Sequence, residues 1–107
     1  MAKGSCLCGG VRWEIDGPLD LMSHCHCARC RKAHGTAFAT YAAGRYDRFR
    51  LEGKEKVARW ESSPGFFRCF CRGCGSVVPG DPFDGERIFV PVGNFNGFDS
   101  LHKSELV

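Results

Sequence analysis

The chain has 107 residues, of which 43% are hydrophobic and 25% charged, with a formal net charge of +3. Those proportions describe one globular domain over residues 1–107 and exclude a disordered or fibrous chain, and the charge is too small to argue for nucleic acid by itself. No apolar run approaches the ~18 residues that cross a bilayer, so no membrane partner is expected.

The first residues, Met1-Ala2-Lys3-Gly4-Ser5, lack the apolar stretch of a secretory signal, so the expected setting is cytoplasmic and reducing. Eight cysteines in so short a chain therefore call for metal rather than disulfides. They stand at 6, 8, 25, 27, 30, 69, 71 and 74, as close pairs separated by long gaps. Each pair can lend two sulfurs to one tetrahedral ion. Zinc is the default for such thiolate sets, with iron or an iron–sulfur cluster as the minority choice.

Cys6-Leu7-Cys8-Gly9-Gly10 is the first pair, and the glycine after Cys8 can take the positive φ that turns backbone N–H groups towards a thiolate. Val11, Trp13 and Ile15 alternate with Arg12 and Glu14, predicting a half-buried strand that ends at Asp16-Gly17-Pro18. The middle cluster follows as Ser23-His24-Cys25-His26-Cys27-Ala28-Arg29-Cys30-Arg31-Lys32-Ala33-His34. Three cysteines within six residues, with no glycine after the last, fit a site of three protein ligands and an open fourth position. A helix of a turn or two at about 28–33 would put His34 on the face of Cys30, making it a candidate fourth ligand or proton carrier. His24 and His26 are further candidate proton carriers. The competing reading is a second structural site, closed by His34 or by Cys69.

Downstream, 37–41 is a short strand candidate, and Tyr46 to Leu51 alternates as another. Gly53 turns the chain towards Val57-Ala58-Arg59-Trp60, and Ser62-Ser63-Pro64-Gly65 reads as a loop. The strand Phe66 to Cys71 places Cys69 on the face of Cys71, where it is either a small core residue or a neighbour of the metal. Cys71-Arg72-Gly73-Cys74-Gly75 is a zinc-knuckle pattern, and with Cys6 and Cys8 it makes a closed four-thiolate site. Val77-Val78 and Arg87 to Val92 flank an Asp84-Gly85 hairpin signal, and Pro91 marks the latter as an edge strand or bulge. The expected fold is all-β, a small metal-clamped domain of short antiparallel strands. Phe66, Phe67, Phe83, Phe95 and Phe98 are either core or a binding face.

Three blocks carry a resemblance: 4–11 (Gly4-Ser5-Cys6-Leu7-Cys8-Gly9-Gly10-Val11), 25–32 with Gly35, and 68–76 (Arg68-Cys69-Phe70-Cys71-Arg72-Gly73-Cys74-Gly75-Ser76). In this order and spacing the sequence resembles the glutathione-dependent formaldehyde-activating enzymes and their relatives around centromere protein V. The resemblance implies a zinc-clamped β-tent and two zinc ions, one structural on Cys6, Cys8, Cys71 and Cys74, the other on Cys25, Cys27 and Cys30. It implies a carbon–sulfur lyase-type enzyme that adds a small thiol such as glutathione to an aldehyde such as formaldehyde, or reverses that step. Arg29, Arg31 and Lys32 would then balance the excess charge of three thiolates and attract the thiol's carboxylates. The chain departs from the family at 93–99, where a Gly-x-Leu-Asp-Asp-like segment is usual, and it stops at Val107, short of the usual aromatic and histidine-containing tail. The alternative is a non-catalytic zinc module for a protein partner or, less favoured at this charge, a nucleic acid.

Overall fold

The structure, a computed structural model, describes residues 1–96 except Asp20, Asp81, Phe83 and Asp84. Short alternating segments punctuated by glycine give small sheets, and among the described residues nine strands form: β1 (Ala2–Ser5), β2 (Arg12–Ile15), β3 (Leu21–Cys25), β4 (Ala39–Arg45), β5 (Phe49–Glu52), β6 (Val57–Ser63), β7 (Phe66–Cys71), β8 (Val77–Val78) and β9 (Arg87–Pro91). They pair antiparallel as three three-stranded sheets, β1-β2-β5, β3-β4-β9 and β6-β7-β8. One α-helix, α1 (Ala28–His34), joins β3 to β4, and 3-10 turns occupy Tyr46–Arg48, Lys54–Lys56 and Val92–Asn94. The all-β architecture read from the sequence is the one observed. No helix among the described residues is long and apolar enough to cross a membrane.

The alternation over 11–15 does what its period dictates: Trp13 and Ile15 are buried and Arg12 is exposed. Together with Ala42, Ile88, Val90, Val92 and Phe95 they form the larger core cluster. Each large apolar side chain buried there contributes roughly 1.5–3 kcal/mol. The approach of β1 to β2 depends on Gly4, because a Cβ at that position would lie 2.2 Å from Cζ2 of Trp13. A second cluster, Cys6, Val11, Cys69, Cys71 and Val78, underlies the third sheet.

Several elements differ from expectation. The alternating stretch from Tyr46 begins as a 3-10 turn and becomes strand only at Phe49. There the Arg45 guanidinium pairs with Asp47, and the Tyr46 amide donates to the Glu86 carbonyl at 2.8 Å. Ser62 and Ser63 extend β6 instead of looping, so the turn to β7 is confined to Pro64 and Gly65. The hairpin expected between 77–78 and 87–92 does not form. β8 pairs with β7, and β9 pairs with β4 in another sheet. Its Asp84, like Phe83 and residues 97–107, lies outside the described residues. Pro91 sits on an edge strand, since among the described residues β9 pairs only with β4. β1 and β3 were not legible as strands at all.

Candidate metal centres and the cleft beside them

Cys6 and Cys8 occupy the turn after β1, and Cys71 ends β7 with Cys74 in the turn beyond it. Gly9 and Gly75 take φ of 78° and 79°, the left-handed conformation that glycine adopts without a steric penalty. The two turns meet, and the four sulfurs lie within 4.8 Å of one another. Cys6 and Cys8 sulfurs are 3.5 Å apart, and Cys8 and Cys71 sulfurs 3.8 Å. A tetrahedral zinc with Zn–S bonds of about 2.3 Å sets its sulfurs about 3.8 Å apart, so this donor set fits the ion. The Val11 amide donates to Cys6 Sγ at 3.3 Å, and Cys74 Sγ lies 3.3 Å from the Ser76 hydroxyl. The Ser76 hydroxyl and amide, with the Cys8 amide, hold the Cys74 thiol down at about 5. The Gly10 amide likewise pulls Cys8 down, but the sulfurs of Cys6, Cys71 and Cys74 push it up to about 11. Protons thus leave the group unevenly, and a dication bound there would replace them.

The second group forms where β3 gives way to α1. Cys25 closes the strand, Cys27 is the helix N-cap, and Cys30 lies in the first turn. Cys27 Sγ accepts from the Cys30 amide at 3.4 Å and lies 3.4 Å from Cys25 Sγ. Gly35 stops the helix at φ 64° and donates its own amide to the Arg31 carbonyl. The group holds three donors, and among the described residues no further Cys, His, Asp or Glu joins it. The Cys30 amide, with the Cys25 and Cys30 sulfurs, brings exposed Cys27 down to about 7. Burial and its two sulfur neighbours push Cys30 up to about 11 against the pull of Arg68. Both groups are compatible with zinc. One has four protein donors and the other three, and each includes one exposed cysteine, Cys8 and Cys27.

His34 does not join the sulfurs. Its Nε2 hydrogen-bonds the Tyr41 hydroxyl, and its ring meets that of Tyr41 edge-on at 5.2 Å. Burial, then the charge of Arg68, lowers the His34 pKa, while burial and the charge of Cys30 push Tyr41 up to about 12. Arg68, on β7, reaches Cys30 Sγ with Nη2 at 3.8 Å. Sequence reasoning assigned no role to Tyr41 or Arg68. The available signal for Arg68 was its place one residue before buried Cys69, which on a strand sends it to the opposite face.

Arg68, His34 and Tyr41 line a cleft of about 1150 Å³; none of Cys25, Cys27 and Cys30 lines it, and Arg68 is what links Cys30 to it. Of the three cations expected there, Arg29 and Lys32 line the cleft, while Arg31 turns back to donate to the His26 carbonyl at 3.1 Å. His24 bonds the Thr40 hydroxyl at 2.8 Å, and His24 and His26 both pack on Phe38. Cys69 is buried in the core against Gly80, where a Cβ would lie 2.6 Å from its sulfur. Phe95 is core, Phe66 and Phe67 line the cleft, and Phe83 and Phe98 lie outside the described residues.

The profile of the family described as glutathione-dependent formaldehyde-activating enzyme matches residues 1–106. A Halomonas elongata protein named as a putative glutathione-dependent formaldehyde-activating enzyme is 33% identical over 73% of this chain and 54% of its own length. The chain thus spans about half of that curated relative. A Schizosaccharomyces pombe protein, named as an uncharacterized lyase, is 24% identical over 92% of this chain and 72% of its own. The crystal structure of a Rhodobacter sphaeroides protein superposes with a TM-score of 0.74 at 26% identity, covering 97% of this chain and 94% of that one.

Proposed function

Because the chain belongs to the glutathione-dependent formaldehyde-activating enzyme family, we propose that it is a zinc-dependent carbon–sulfur lyase-type enzyme acting at Cys25, Cys27 and Cys30. It joins a small anionic thiol such as glutathione to an aldehyde such as formaldehyde, or reverses that step, as a single domain in a reducing, cytoplasmic setting. The observation that carries this reading is the contrast between the two sulfur groups: four donors make up the first, whereas the second has three, and Arg68 links its Cys30 to the lining of an open cleft.

Zinc bound at the second group would supply Lewis acidity and a place for a thiolate at neutral pH. The remaining work falls to the chain. Arg29 and Lys32 draw the thiol's carboxylates into the cleft, and Arg68 offsets the surplus negative charge of three thiolates at Cys30. Tyr41, pushed up to about 12, keeps its proton at neutral pH and can donate a hydrogen bond where oxygen gains charge. His34, whose pKa burial lowers, can donate its Nε2–H to the Tyr41 oxygen and so leave the hydroxyl proton aimed at the oxygen that gains charge. Zinc on Cys6, Cys8, Cys71 and Cys74 would hold the fold only.

The test is an assay of thiol–aldehyde adduct formation on protein loaded with two zincs. Turnover above the uncatalysed background, lost in Cys27→Ser while the first zinc stays bound, is the expected result. No turnover with any thiol, both metals being present, would leave a non-catalytic zinc module.

A further inference from the structure

The cleft is larger than a one-carbon aldehyde requires. Its volume of about 1150 Å³ exceeds the roughly 300–1,000 Å³ of pockets that enclose drug-sized ligands. One wall is aromatic: Trp60 on β6 is 64% exposed, and Phe66 and Phe70 on β7 are 38% exposed each. Rings of this size normally bury their faces, so three together in a concavity point to something packing on them. The charge is one-sided as well. The described lining residues include Arg29, Lys32, Arg59 and Arg68 and no carboxylate. Arg68 joins both features, with its guanidinium 5.3 Å from the Phe66 ring centroid and 3.8 Å from Cys30 Sγ. An apolar wall beside cations complements an amphipathic anion.

We propose that this cleft selects the aldehyde: its carbon-side group is apolar and of aromatic size, packing on Trp60, Phe66 and Phe70, while Arg29, Lys32 and Arg68 hold the carboxylates of the thiol. The inference rests on the thiol–aldehyde reading above and adds the substrate class. The step balances without an oxidant. The thiolate lone pair forms the C–S bond, the C=O π pair moves to oxygen, and one proton completes the hydroxyl of the hydroxythioether.

The test uses the full zinc-loaded chain and two stable thioethers, S-methylglutathione and S-benzylglutathione, titrated by calorimetry. The benzyl compound should bind at least tenfold tighter. Trp60→Ala and Phe70→Ala, both on the exposed wall and checked for folding by circular dichroism, should each cut that ratio below threefold. Arg68→Gln should weaken both ligands and keep the ratio. Equal affinities, binding of neither compound, or a ratio unmoved by both wall variants would overturn the inference. A parallel assay compares benzaldehyde with formaldehyde. A higher kcat/KM for formaldehyde overturns the inference while leaving the reaction standing. No turnover of either aldehyde sinks the reaction, and the binding ratio then still decides the cleft.

Discussion

Cys27 does two things with one sulfur atom: it caps α1 and it stands among the three candidate ligands. The Cys30 amide that makes the cap also lowers its pKa, because an N–H pointed at sulfur favours the thiolate. Cys30, three residues on, is buried and shifts the other way. Once mild chelation has emptied the second group, iodoacetamide should therefore label Cys27 first, at a rate that rises through about pH 7 and then levels. Cys30 should lag until far higher pH; mass mapping that finds Cys30 labelled first would contradict the assignment. Gly4 poses a packing question of the same scale. Its Cβ would strike buried Trp13, so Gly4→Ala should destabilise the chain by about 1–3 kcal/mol in urea unfolding. The glycine was legible in the sequence as part of a motif, but its reason was not, since nothing local says which side chain crosses residue 4.

At the scale of elements, the sequence disclosed what depends on near neighbours and hid what depends on partners. The alternation of β2, the edge proline of β9 and the two-turn helix were all legible. β1 was not, because Ala-Lys-Gly-Ser has no strand-forming residue and is extended only through pairing with β2. The misread hairpin has a similar cause. The knuckle 71–76 is itself the turn of a hairpin, closed by the Gly75 amide on the Cys71 carbonyl and the Cys71 amide on that of Ser76. It therefore claims β8 for β7 before β9 is reached. All seven sulfurs of the two groups were legible from spacing, while Arg68, 38 residues beyond Cys30, and Tyr41, brought back by the strand after α1, reach the site only through the fold and were not. The helix offers a test that separates capping from metal. Cys27→Ser and Cys27→Ala both remove a soft ligand, but only serine keeps a cap acceptor. In protein lacking the second metal, the alanine variant should unfold about 1 kcal/mol more easily; equal stability would mean that the cap contributes nothing.

Over the whole molecule the two sulfur groups differ in how much chain they tie down. Cys8 and Cys71 are 63 residues apart, and closing a loop of that length costs about 4 kcal/mol before any contact is gained. The ends meet beneath a small cluster containing two of the ligands themselves, Cys6 and Cys71, which leaves little other apolar surface to hold them. Structural zinc binds such sets with about 10–16 kcal/mol, so a metal there offsets the closure and stabilises the third sheet against the first. The second group spans only 25–30, and its ends are already fixed by the pairing of Cys25 with Ala39 and by α1. Chelation should accordingly release zinc in two steps. The first, from Cys25, Cys27 and Cys30, should leave the circular dichroism spectrum unchanged. The second, from Cys6, Cys8, Cys71 and Cys74, should coincide with loss of the β signal, and Cys71→Ser should abolish folding outright. Release of both ions in one cooperative unfolding step would show that the second group also holds the fold together, and would remove the physical basis for treating it as an open site.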